Sequence, residues 1–121
     1  MTTATPRQSL GRYGERLAAR HLTAAGLLVI ERNWRCPAGE IDLVLREGGT
    51  LVVCEVKTRR DESHGHPLEA VGPAKTARLL LLAELWQEER GVHPRDVRVD
   101  VVGVVLPWCG PVLIEHVRGI G

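Results

Sequence analysis

Four residues with chemical potential, Glu40, Asp42, Glu55 and Lys57, lie at alternate positions of two apolar runs that flank the pair Gly48-Gly49. Alternation of this kind around a Gly-Gly pair predicts a β-hairpin, here spanning residues 39–57, with one charged face. If Gly48-Gly49 is a two-residue turn, Arg46 faces Leu51, Val44 faces Val53, Asp42 faces Glu55 and Glu40 faces Lys57. A turn one residue longer, with a bulge, would send Asp42 and Glu55 to opposite faces. In the shorter register two carboxylates stand side by side, which is unfavourable on a sheet. A divalent cation relieves that repulsion, because Mg²⁺ takes oxygen ligands and needs only one or two carboxylates completed by waters and phosphate oxygens. Lys57, on the same face, would then hold a water or a phosphate oxygen. The plainer alternative is a solvated polar face on which Lys57 offsets its acidic neighbours.

The elements that must position these residues are readable on either side. From Ser9, the expected N-cap, the chain predicts a helix that Gly26 stops; Leu10, Gly14, Leu17, Ala18, Leu22 and Ala25 form its apolar arc and Glu15 stands at the edge. Gly11 and Gly14 would permit close approach of a backbone or a phosphate, and Arg12, Arg16 and Arg20 recur along another face. Residues 27–34 predict the first strand, and residues 35–39 a turn into the hairpin. Residues 58–67 are a polar loop in which His64 and His66 lack the further ligands a metal site needs, while Arg59 and Arg60 lie where a phosphate contact is useful. Pro73 opens a second helix that ends near Arg90 before Gly91. Its broad apolar middle, Leu79 to Trp86, predicts thorough cover, and Lys75 and Arg78 in its first turns face solvent or ligand. Residues 97–106 read as a strand covered on both faces, with Asp100 requiring an ion-pair partner, either Arg98 or an Arg of the second helix. Residues 112–117 are a last strand. A meander followed by strand, helix and strand implies a right-handed parallel crossover, and so an α/β fold with a mixed sheet of about five strands in the order α-β-β-β-α-β-β.

A chain of 121 residues is one domain, read as residues 9–118 after a flexible terminus 1–8. With no signal peptide and no apolar run of spanning length, the expected setting is cytoplasmic. Three widely spaced cysteines suggest neither a disulfide framework nor a zinc knuckle, and Cys54 reads as a core residue. The net charge of +1 hides an asymmetry: residues 1–60 carry ten Lys or Arg against six Asp or Glu, and residues 61–121 carry six against nine.

No Walker-A loop, nucleophile elbow or dinucleotide fingerprint is present, so the carboxylates with Lys57 are the one constellation pointing to a reaction. Phosphodiester hydrolysis needs an activated water, neutralised charge at the phosphate and a stabilised leaving oxygen, and a carboxylate-held metal with a nearby Lys supplies them. Asp42, then twelve residues, then Glu55-Val56-Lys57, in a hairpin preceded by a helix bearing Glu15, resembles the PD-(D/E)xK nuclease superfamily of restriction-endonuclease-like fold. The chain more closely resembles the YraN family of small bacterial proteins. That likeness runs through residues 11–15, Asn33-Trp34-Arg35, residues 39–43, residues 55–59, residues 69–71, Lys75, residues 98–101 and residues 114–116. The superfamily Pro is absent before Asp42, where Glu40-Ile41 stand, and Val99 occupies a position that is aromatic in relatives. The resemblance implies that Asp42 and Glu55 ligate Mg²⁺ or Mn²⁺, that Lys57 orients water or phosphate, and that Glu15 is a further acid near the metal. The last feature is similar to archaeal Holliday junction resolvases. Arg59, Arg35, Lys75, Arg78 and Arg12 are then the expected phosphate contacts. The implied activity is that of a metal-dependent DNA endonuclease acting on branched or recombination intermediates, in a homodimer if two strands are cut. The competing reading is a non-catalytic module that binds nucleic acid or a partner and retains the metal site as a relic.

Overall fold

Seven elements follow in the expected order in the computed structural model, which describes residues 3–61, 69 and 71–120. They are α1 (Pro6–Ala24), β1 (Leu28–Cys36), β2 (Gly39–Glu47), β3 (Thr50–Arg59), α2 (Pro73–Arg90), β4 (Asp96–Val105) and β5 (Leu113–Val117). The five strands form one sheet in the order β1-β2-β3-β4-β5. Neighbours are antiparallel except β3 and β4, which run parallel through the α2 crossover. The α/β class, the mixed sheet and the element order expected from the sequence are all present.

The helices cover opposite faces, and the pleat of β3 sorts residues between them. Val52, Cys54 and Val56 join Ala18, Ala19 and Leu22 of α1, together with Leu43 and Leu45 of β2. Leu51 and Val53 join Leu79, Leu82, Ala83 and Trp86 of α2. β3, bonded on both edges and covered on both faces, has no exposed residue. No helix among the described residues is long and apolar enough to cross a membrane.

Two boundaries and the cover of one helix differ from the expectation. α1 starts at Pro6, not after Ser9, because Thr5 and Gln8 form a reciprocal capping box and Pro6 sits at the first helical turn. β1 continues through Cys36, since Arg35 and Cys36 pair with Glu40 and Gly39. The apolar middle of α2 is covered on one side only. Leu79 and Leu82 face the sheet, whereas Leu80 and Leu81 are turned outward and exposed. His64 and His66 lie outside the described residues.

Candidate active site at the open end of the hairpin

The hairpin turns where expected. Glu47 pairs with Thr50 across Gly48-Gly49, and Gly48 adopts the left-handed φ of +60° that glycine tolerates. Facing residues keep the two-residue register as far as Leu43 and Cys54, and there the β2–β3 ladder stops. Beyond this point β2 stays with β1 as far as Gly39, and β3 stays with β4 as far as Arg59. The two strands diverge just before Asp42 and Glu55 would have paired, so the expected direct opposition of these acids is corrected to a gap in the sheet. Asp42 spans the gap, its carboxylate accepting the Val56 backbone N–H at 2.8 Å in place of a ladder bond.

Charged groups converge on this gap from four elements. Asp42 from β2 and Glu55 from β3 are buried, 8% and 7% exposed. Lys57 of β3 places its Nζ 3.2 Å from Glu55 Oε1, and Lys75 from the first turn of α2 lies 2.9 Å from the same oxygen. Glu15 of α1 is hydrogen-bonded by Asn33 of β1. Position 33 lies between the pairs Arg32–Leu43 and Trp34–Ile41, alongside Asp42, and its φ of +52° breaks the regular strand. Asn is among the few residues that tolerate this region, which is the signal in the sequence that could have singled it out. Glu40 is engaged by Arg35, its cross-strand neighbour.

Burial, and next Glu55, push the Asp42 carboxyl up from 3.8 to about 8; the Val56 N–H pulls it down, and Glu15 and Glu40 raise it further. Glu15 is also raised, chiefly by burial; Asn33 and Arg12 oppose the shift, while Glu40 and Glu55 add to it. Four mutually repelling carboxylates are thus held together by the fold.

Two clefts meet at Glu15. One, of about 600 Å³, is lined by Glu15, Lys57, Arg59, Arg60 and Arg7. The other, of about 430 Å³, is lined by Glu15, Arg12, Asn33, Arg35 and Glu40. Arg59 thus lines the first cleft, and Arg12 and Arg35 line the second. Lys75 sits in the acidic cluster itself, and Arg78 is exposed beside Gly39 at the start of β2. Gly14 allows α1 to press on Thr58, leaving no room for a side chain, whereas Gly11 is open and lines both clefts.

Among the described residues no three His, Cys, Asp or Glu are grouped to hold a metal ion. An all-protein cage of the zinc type is therefore not built there. Two neighbouring carboxylates match the smaller demand of a hard cation that keeps waters and takes phosphate oxygens.

Asp100 is a separate centre. It is fully buried, receives Arg98 at 2.8 and 3.0 Å and the Gly119 N–H at 3.0 Å, and meets His116 Nε2 at 2.7 Å. Burial works against its charge, but these partners, Arg98 foremost, hold its carboxyl below the usual range. Arg98 also bonds Glu47, so the network ties β4, β5 and the hairpin turn together.

The model of the family described as Uncharacterised protein family UPF0102 matches residues 14–104. A UPF0102 protein of a Nocardioides species is 58% identical over 118 residues, covering 98% of this chain and 95% of the relative. One from Streptomyces griseus is 57% identical over 115 residues, covering 94% and 97%, and one from Kineococcus radiotolerans is 52% identical over 121 residues, covering 99% of each.

Proposed function

The chain belongs to the UPF0102 family, and from the charge cluster it carries we propose that it is a divalent-metal-dependent DNA endonuclease of the PD-(D/E)xK type. The observation that supports this most is Asp42, buried against Glu55 with its carboxyl raised to about 8. Burying two acids beside each other is costly even with the contacts each makes, and a cation and a phosphate bound during work would give the fold a reason to keep them.

Asp42 and Glu55 would hold Mg²⁺ or Mn²⁺, with Glu15 as a third acid at the mouth. Such an ion, when bound, supplies a water of lowered pKa and neutralises charge on the scissile phosphate. Lys57, restrained by Glu55, is the group that orients the attacking water or donates to a phosphate oxygen. Lys75 holds the same oxygen of Glu55 and helps to keep it fixed. Arg59, Arg12 and Arg35 in the clefts, with Arg78 on α2, bind the flanking phosphates without reading bases. In the overall reaction the oxygen of water bonds to phosphorus and a bridging P–O bond breaks, giving a phosphate monoester and a free hydroxyl. Similarity to the archaeal junction resolvases, which also carry a Glu on the first helix, favours branched DNA as substrate. Cutting two strands takes two such sites, so the proposed working unit is a homodimer. A cytoplasmic setting accords with three cysteines that are all free.

One observation favours the competing, non-catalytic reading: the Glu55 oxygen is already engaged by two ammonium groups, which a cation would have to displace. Incubation with linear, nicked and four-way DNA, with and without Mg²⁺ or Mn²⁺, separates the readings. Metal-dependent cutting that falls at least about a hundred-fold in Asp42→Asn and in Lys57→Ala is expected. Tight DNA binding without cutting by the unaltered protein would establish the binding module instead.

A further inference from the structure

Three tryptophans occur in the chain, and two are core residues: Trp34 and Trp86 are 5% and 2% exposed. Trp108, in the connection between β4 and β5, is 84% exposed. An indole that open gives up the burial that ordinarily justifies its size. It is nevertheless held in place. The guanidinium of Arg60 lies 3.9 Å from the ring centroid, stacked on one side of the indole. Arg60 in turn donates to the Leu106 carbonyl at 3.2 Å, and the Leu106 N–H donates to the Arg59 carbonyl at 2.7 Å. The end of β3 and the end of β4 thus hold a cation and an aromatic ring in one stack.

The position of the stack gives it meaning. Arg60 belongs to the wall of the cleft that also contains Glu15 and Lys57, with Arg59 and Arg7 as further cations. From the acidic cluster outward, a strand of nucleic acid would meet positive charge for its phosphates and then, at the rim, an exposed aromatic plane. Electropositive grooves that end on aromatic platforms are how proteins hold single strands, since an unstacked base offers its π-face, whereas inside a duplex that face is covered by the neighbouring base pairs.

We propose that Trp108, braced by Arg60, is a stacking platform for an unpaired nucleobase of DNA, so that the cleft selects DNA with a single-stranded or unstacked nucleotide next to the bond to be cut. The inference rests on the endonuclease reading for its purpose, but its readout is binding and needs neither metal nor turnover.

The test uses tryptophan fluorescence of the full chain in metal-free buffer. The water-exposed, red-shifted component of the emission belongs to Trp108, because Trp34 and Trp86 are buried. An oligodeoxythymidylate should quench that component, whereas its blunt duplex with oligodeoxyadenylate should leave it largely unchanged. Trp108→Ala should weaken single-strand binding by about ten-fold or more and Trp108→Phe by less, with duplex binding unaltered. An exposed side chain can be removed without disturbing the core, and unchanged thermal melting of both variants confirms that. Equal quenching by duplex and single strand, no quenching by either, or single-strand binding unaffected in Trp108→Ala overturns the inference. These outcomes leave metal-dependent cutting to be judged by its own assay. Conversely, selective quenching by a protein that never cuts upholds Trp108 and removes the endonuclease.

Discussion

One oxygen of Asp42 closes the opened ladder by accepting the Val56 N–H, and that contact explains how so unfavourable a carboxylate stays buried. Its charge is opposed by burial and by Glu55, with Glu15 and Glu40 adding to the shift, so the native group holds a proton over a range in which the unfolded chain has lost it. A raised acid makes unfolding easier as pH climbs, because the unfolded state binds fewer protons in that range. The metal-free protein should therefore lose stability between pH about 4 and about 8. Asn at position 42 still accepts the Val56 N–H but carries no charge. Urea denaturation of Asp42→Asn across this range should show a clearly shallower decline, with the remainder owed to Glu15, which is shifted in the same direction. An unchanged slope would mean that Asp42 does not carry the repulsion. Asp100 has the opposite sign: its carboxyl is lowered, so its contribution is intact above its ordinary range and is lost only in stronger acid. Asp100→Ala leaves Arg98, His116 and the Gly119 N–H without their shared acceptor. A loss of about 3–5 kcal/mol is expected in the same urea experiment at neutral pH.

Among the elements, α1 and β3 are coupled most tightly at Gly14. A Cβ there would lie 1.9 Å from Thr58 Oγ1 and 2.8 Å from Thr58 Cβ, so α1 would have to move away from β3 and take Glu15 with it. Gly14→Ala should cost about 1–3 kcal/mol in urea denaturation, despite the better helix propensity of Ala. Thr58→Ala in the same chain should recover only a fraction of this, because the Thr58 Cβ remains in the way. Much at this scale is legible in the sequence. The Gly48-Gly49 turn and the crossover follow from local pattern, which leaves two registers open and offers Arg98 as one candidate partner of Asp100. The separation of β2 from β3 does not, since the alternating pattern continues past Leu43 and Cys54, where the ladder ends just before two acids would have faced each other. Asn33 in a β-rich run reads as an ordinary strand residue until its left-handed backbone is seen beside Asp42. Lys75 reads as a phosphate contact in the sequence because nothing local reveals that the start of α2 lands on Glu55.

At the scale of the whole molecule, a sheet covered on both faces by helices gathers one cluster of charged groups at an opening between its strands. The opening receives Glu15 from one layer, Lys75 from the opposite layer and Asp42, Glu55 and Lys57 from the sheet between them. The near-neutral total charge conceals this arrangement, because acids in the cluster offset the arginines of the clefts that reach it. Nucleic-acid binding should accordingly be modest and salt-sensitive, with affinity supplied by few phosphate contacts. The proposed work of the cluster is the hydrolysis of phosphodiester bonds with the help of a divalent cation. Its most direct test is the single-turnover cleavage rate of labelled four-way DNA as Mg²⁺ or Mn²⁺ is raised, for the unaltered protein and for Asp42→Asn. The rate should be zero without metal, saturate with it, and fall at least about a hundred-fold in the variant. Cleavage that ignores the metal, cleavage equal in the two proteins, or no cleavage at any metal concentration would contradict it.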